Sequence, residues 1–139
     1  MRTELPRDHK LSMASEDYLE AIYRLKVRNG EVAVRSVDVA ELLDVSKASV
    51  SKALGVLRDA NMIEQSRYGR VVLTPEGETY ARRVWRSHRA LRAFLTSCLG
   101  VQKEVADEEA CLLEHYLSVD TMERWCDYLE GQDIALEEA

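Results

Sequence analysis

The run from Ser36 to Leu73 constrains this 139-residue chain more than any other. Ser36 opens a short helix with Val37, Ala40, Leu42 and Leu43 inside, Asp44-Val45-Ser46 reads as a tight turn, and Ser46 caps a second helix from Lys47 to about Asn61. Val50, Leu54 and Leu57 recur on one helical face, which leaves Lys47, Ser49, Ser51 and Lys52 on the opposite one. Two short helices joined by a tight turn, the second polar and basic in its N-terminal half, form a helix-turn-helix pattern. A plain helical hairpin with solvated charges is the competing reading, and the residues after Asn61 weigh against it. Met62–Ser66 and Val71–Leu73 are strand-like runs separated by Arg67-Tyr68-Gly69-Arg70, a β-hairpin with two arginines and a tyrosine at its tip. A basic hairpin directly after a helix-turn-helix is a wing. Base reading is expected of Ser46, Lys47, Ser49, Ser51 and Lys52. Phosphate contacts are expected of Arg35, of Ser36 at a helix start, and of Arg67, Tyr68 and Arg70.

Charge supports this placement. The net charge of −6 conceals an uneven distribution: residues 35–92 carry eleven Lys/Arg against seven Asp/Glu, residues 93–139 two against twelve. A phosphate backbone meets the local field, so the middle of the chain is the part fit to meet DNA. A hydrophobic fraction of 46% with 32% charged residues describes an ordinary globular chain. No apolar run approaches the roughly 18 residues that span a bilayer, and the N-terminal segment lacks the apolar stretch of a signal peptide, so the expected compartment is the cytoplasm. Cys98, Cys111 and Cys126 make no complete disulfide framework and are expected to stay reduced there. Cys98 and Cys126 read as core residues.

On either side of the winged unit the chain reads as helical. Residues 1–13 form a loose arm. Ser15 caps a helix with Glu16 and Asp17 in its first turn and Tyr18, Leu19, Ala21, Ile22 and Leu25 along its apolar stripe, ending at Asn29-Gly30. Thr74 caps a long helix with Pro75 at its first position, running to Leu99 and stopping at Gly100. A helix over Val101–Leu117 and another capped by Ser118 or Asp120, with Met122, Trp125 and Leu129 apolar, precede a short acidic tail.

The chemistry concentrates in Cys111-Leu112-Leu113-Glu114-His115. On a helix, residues three and four apart share a face, so the thiol, carboxylate and imidazole of Cys111, Glu114 and His115 converge while the two leucines turn towards a core. All three groups can donate to one divalent metal. Asp17 and Glu20 repeat the three-residue offset near the start of the chain, and His88 is a further candidate; His9 carries no such expectation.

The segments Ser15-Glu-Asp-Tyr-Leu-Glu-Ala-Ile-Tyr, Thr74-Pro-Glu-Gly and Cys111-Leu-Leu-Glu-His-Tyr-Leu-Ser, in this order, resemble the metal-dependent repressors related to the diphtheria toxin repressor and the manganese transport regulator. The resemblance covers about residues 12–131, in the short form without an SH3-like domain. It implies a mainly α fold: a winged helix-turn-helix DNA-binding domain (1–74), then a helical dimerisation and metal-binding domain (75–139), with the first helix also supplying metal ligands. It implies a homodimer that binds operator DNA when loaded with Fe²⁺ or Mn²⁺ and represses metal-uptake genes, with no catalytic activity, small-molecule substrate or membrane association. Asp17 and Glu20 match the first-helix carboxylates of the manganese branch, His88 a histidine of both branches, and Glu114 and His115 the shared Glu-His pair. Cys111 agrees instead with the iron branch. Two ancillary ligands of that branch, a glutamate and a histidine, stand here as Arg92 and Asp107. The arrangement implied has Asp17, Cys111, Glu114 and His115 on one ion, with Glu20 and His88, sharing Glu114, on a second. Asp107 and Glu108 are weaker candidates. The thiolate favours Fe²⁺ slightly over Mn²⁺, with one or two ions per subunit. The rival classes are a winged-helix regulator answering a non-metal effector, and a metalloenzyme or metal-storage protein.

Overall fold

The structure, a computed structural model, describes residues 8–66 and 68–136. The chain separates into two compact units, one over Met13–Arg83 and the other over residues 8–12 with 84–136. Among the described residues no helix is long and apolar enough to cross a membrane.

The first unit contains α1 (Met13–Asn29), β1 (Val34–Arg35), α2 (Ser36–Leu43), α3 (Lys47–Asp59), β2 (Ile63–Gln65), β3 (Arg70–Leu73) and the opening turns of α4 (Pro75–Ser97). Its core is the apolar stripe of each helix closed by the sheet: Leu19, Ile22, Leu25, Val39, Val50, Leu54, Leu57, Met62, Ile63 and Val71 are all buried. The sheet runs β1-β3-β2 and is antiparallel throughout, with Val34 opposite Val71 and Ile63 opposite Leu73. β2 and β3 are the expected wing. β1 was not expected, because a two-residue strand is too short to show any alternation and exists only by pairing with β3.

Two of the expected caps are present. Ser46 Oγ accepts from the Ser49 N–H at 3.1 Å, and Thr74 Oγ1 accepts from the Gly77 N–H at 3.0 Å while donating to the Asn61 carbonyl at 2.8 Å. Two others are corrected. α1 starts at Met13, so Ser15 lies buried inside it rather than at its cap. Ser36 is the first residue of α2 and Arg35 holds the cap position; the Ser36 N–H donates 2.9 Å to the Gly69 carbonyl and so pins the wing tip to the start of α2.

The acidic start of α1 is partly buried. Glu16 is 0% exposed, and Tyr80 Oη donates to its Oε2 at 2.6 Å. Tying a carboxylate to a phenol inside the core joins α1 to α4. Replacing Tyr80 by Phe is expected to cost about 1–3 kcal/mol, the penalty of withdrawing a donor from a buried acceptor. Urea unfolding with an unchanged m value would show it. Lys26 and Glu78, 2.6 Å apart, make a second tie between these helices at the surface, and the hydrogen bond from Lys26 holds the Glu78 carboxyl below its usual range.

The second unit packs the remainder of α4 against α5 (Lys103–Leu113) and α6 (Val119–Gly131) around Ala90, Leu91, Ala93, Ala110, Met122, Cys126 and Leu129. Phe94 and Trp125 meet edge to face, with centroids 5.2 Å apart. Ser118 is the cap of α6, accepting from the Thr121 N–H at 3.1 Å. The described end of the N-terminal arm is not loose. Asp8 accepts from the Val119 N–H at 2.8 Å, His9 Nε2 lies 2.7 Å from the Leu117 carbonyl oxygen, and Leu11 is buried. Ile134 and Leu136 of the acidic tail pack on the core. Cys126 is buried as expected, whereas Cys98 is exposed in the turn that follows α4.

Candidate metal centre and nucleic-acid face

α5 ends at Leu113, earlier than the Leu117 expected from its sequence. Glu114 nevertheless keeps helical torsions (φ −58°, ψ −27°) and its N–H bonds the Ala110 carbonyl. The Tyr116 N–H then reaches back to Leu113, tightening the spiral into a turn. Cys111 thus stands on the last turn of the helix, with Glu114 and His115 on its continuation. The three-residue offset survives, and the ligand atoms of Cys111, Glu114 and His115 lie within 4.8 Å of one another. Glu114 and His115 are buried, 3% and 1% exposed, and Cys111 is half-buried. Leu112 and Leu113 do the opposite of what was expected. They are 55% and 40% exposed, and together with Val105 and Tyr116 they leave apolar side chains uncovered on and just beyond α5.

His88 comes to the same place from α4. Its Nδ1 lies 2.9 Å from Glu114 Oε2 and its Nε2 2.8 Å from Asp107 Oδ1. The imidazole stacks on Trp85, with centroids 5.3 Å apart and an 11° interplanar angle. Arg92, one turn further along α4, donates from Nη1 to Asp107 Oδ1 at 3.2 Å. Burial pushes the Asp107 carboxyl up, but its bonds to His88 and Arg92 outweigh this and leave it below its usual range. Trp85 escaped the sequence reading, although its place three residues before His88 on one helix face is legible in retrospect. Asp17 and Glu20 lie on α1 in the first unit, Asp17 half-buried and Glu20 6% exposed.

The donor set of thiol, carboxylate and imidazole suits a first-row divalent ion. It does not suit calcium or magnesium, which take oxygen ligands. Buried carboxylates and imidazoles crowded together are costly unless a cation or a hydrogen bond compensates them, so the residues present fit such an ion.

The nucleic-acid face belongs to the first unit. Ser46, which caps α3, and Lys47, Ser49, Ser51 and Lys52 in its first two turns are all exposed. Ser46 is already engaged as the cap, with its hydroxyl also donating to Ser49 Oγ at 3.0 Å. Beside them a cavity of about 250 Å³ opens between α2, α3 and β2, lined by Ser36, Lys47, Ser51 and Gln65 among others. Tyr68 at the wing tip is 90% exposed, and Arg70 is exposed with Glu31 3.8 Å away. Arg35 is held in a two-pronged pair with Asp38 at 2.9 and 3.1 Å, so a phosphate would have to share it. Arg67 lies outside the described residues.

Comparison with known proteins agrees with this layout. The model for the iron dependent repressor N-terminal DNA binding domain matches residues 10–71, and that for the iron dependent repressor metal binding and dimerisation domain matches residues 74–133. An uncharacterised HTH-type transcriptional regulator of Methanocaldococcus jannaschii is 31% identical over 120 residues, covering 86% of this chain and 95% of the relative. The transcriptional regulator MntR of Salmonella typhimurium is 34% identical over 122 residues, covering 88% and 76%. Among solved structures, that of the manganese regulator SloR superposes with a TM-score of 0.73 at 31% identity, covering 84% of this chain and 53% of the other. This chain therefore spans about half the length of that structure.

Proposed function

The chain belongs to the iron-dependent repressor family, and on that footing we propose that it is a metal-dependent DNA-binding transcriptional repressor, a homodimer that takes operator DNA when loaded with Fe²⁺ or Mn²⁺. The observation that carries the reading is the convergence of Cys111, Glu114 and His115, with His88 on the same carboxylate. We assign Asp17 with Cys111, Glu114 and His115 to one ion, and Glu20 and His88, sharing Glu114, to a second. When bound, the ion supplies coordination bonds and positive charge to carboxylates that would otherwise repel one another and DNA. Cys111 tilts the choice towards Fe²⁺, since a thiolate suits softer ions than the manganese of the SloR relative.

The division of labour follows the chain. Lys47, Ser49, Ser51 and Lys52 read bases, while Arg35, Ser36, Arg67, Tyr68 and Arg70 hold phosphates. We place the functional boundary between residues 74 and 75, with α1 contributing ligands to the metal-binding half. The exposed Val105, Leu112, Leu113 and Tyr116 offer an apolar face to a second protomer. Two recognition helices must meet half-sites about 34 Å apart. Ligands drawn from both α1 and the turn after α5 would restrict the protomer to geometries that satisfy this spacing. Moving from mostly incompetent to mostly competent takes about 5.5 kcal/mol of differential binding. The site of action is the cytoplasm, where Cys111 stays reduced.

The test is an anaerobic titration of metal-stripped protein with Fe²⁺ and Mn²⁺, monitoring selection from random DNA duplexes. Enrichment of one palindromic sequence with metal, and its loss with chelator, is the expected result. Equal enrichment in chelator would overturn the metal switch.

A further inference from the structure

Asp107 and Arg92 sit where the resemblance leads one to expect ancillary metal ligands, yet their geometry is that of a relay. Arg92, a buried guanidinium, donates to Asp107 Oδ1 at 3.2 Å; the same oxygen lies 2.8 Å from His88 Nε2; and the other ring nitrogen of His88 lies 2.9 Å from Glu114 Oε2. The stack on Trp85 fixes the ring plane. We propose that Asp107, anchored by Arg92, is a positioning residue for His88: it receives the Nε2–H and so reserves Nδ1, the nitrogen beside Glu114, for the metal. This rests on the reading of His88 as a ligand and deepens it.

Three physical points support the assignment. A neutral imidazole can ligate through one nitrogen only, and the partner of the other nitrogen decides which. Carboxylates in this role also raise the basicity of the ligating nitrogen, and their loss costs about 10–100-fold in metal affinity. Finally, Arg92 already places a fixed positive charge on Asp107, so a second cation at that carboxylate would meet like charge at close range. The relay therefore stands in place of an ancillary ion instead of building a site for one.

The experiment compares the full-length wild type with Asp107→Ala, Asp107→Asn and His88→Ala, using the affinity for Mn²⁺ and the ¹⁵N imidazole signals of the Cd²⁺-loaded protein. Asp107→Ala is expected to weaken Mn²⁺ binding by about tenfold or more. Asp107→Asn, whose amide oxygen can still accept the Nε2–H, is expected to recover most of that loss. The wild type is expected to show Nδ1 bound to Cd²⁺ and Nε2 protonated. Cadmium on Nε2, or an Asp107→Ala affinity within about twofold of wild type while His88→Ala binds weakly, would overturn the relay alone. If His88→Ala itself leaves the affinity unchanged, His88 is no ligand, and the underlying assignment falls as well.

Discussion

Replacing Gly77 by Ala is expected to destabilise the first unit by about 3 kcal/mol, at the upper end of what overpacking costs. Helix propensity alone argues the other way, since alanine in a helix is favoured over glycine by about 1 kcal/mol. The local geometry decides the sign. A Cβ at Gly77 would stand 1.9 Å from the Met62 carbonyl oxygen and 2.8 Å from its carbon. These are backbone atoms, so no side-chain rotation relieves the overlap. Nor is that carbonyl loose, because it accepts both the Thr74 N–H at 3.0 Å and the Thr74 hydroxyl at 3.1 Å. Either α4 moves off the start of β2 or these bonds break. Gly131 is the control: it lies in α6, and nothing lies within 4 Å of where its Cβ would be. Gly131→Ala is expected to be neutral or stabilising by up to about 1 kcal/mol. Chemical unfolding of both variants reads the contrast, and equal stabilities would refute the close approach at Gly77.

The same turn shows why part of this fold is legible in the sequence. Thr74-Pro75 announces a helix start through local chemistry alone, a hydroxyl acceptor followed by a residue with no N–H to satisfy, as Ser46 and Ser118 do through their caps. The apolar stripes of α1 and α3 are legible for a similar reason, since each spans enough turns to show its period. What escaped depends on distant partners. β1 exists through β3, and Glu16 is buried through the far-off Tyr80. The arm at Asp8 and His9 is pinned by the backbone of Leu117 and of Val119 at the start of α6. Leu112 and Leu113 misled because an apolar pair reads as core whether a protomer buries it internally or presents it outward. The close spacing of Cys111, Glu114 and His115 is kept even though α5 stops short of it, because the turn at Glu114 keeps helical torsions. The partners of His88 were only half visible. Asp107 and Arg92 stood out as departures from a ligand pattern, but a hydrogen-bonded relay across two helices leaves no mark in one dimension.

Glu114→Gln is expected to abolish metal-dependent operator binding while leaving the dimer and the helix content intact. Glutamine keeps the volume of the glutamate, so the 3%-exposed site need not collapse. It loses the charge, and with it one of the two oxygens that face His88 and His115 at 2.9 and 3.6 Å. Because Glu114 is assigned to both ions, a single neutralisation weakens every ligand set at once, whereas a change at Cys111 or His88 touches one. Losing the charged partner of a buried cation costs roughly 3 kcal/mol or more, about a hundredfold in affinity. That is more than half of the differential binding energy a full population switch requires. Glu114→Ala should be worse for a separate reason, since it opens a cavity and strands two imidazoles, and would confuse metal loss with unfolding. The variant that separates the two halves of the mechanism is Lys52→Ala. It should reduce the salt dependence of DNA binding if the lysine contacts phosphate, or relax the sequence preference if it reads a base, and in either case keep the response to metal. Measured together by titrating metal against a fixed operator, Glu114→Gln should flatten the metal response and Lys52→Ala should only shift it. A Glu114→Gln protein that still responds to metal like the wild type would remove Glu114 from the switch, and with it the proposed assignment of Glu114 to both ions.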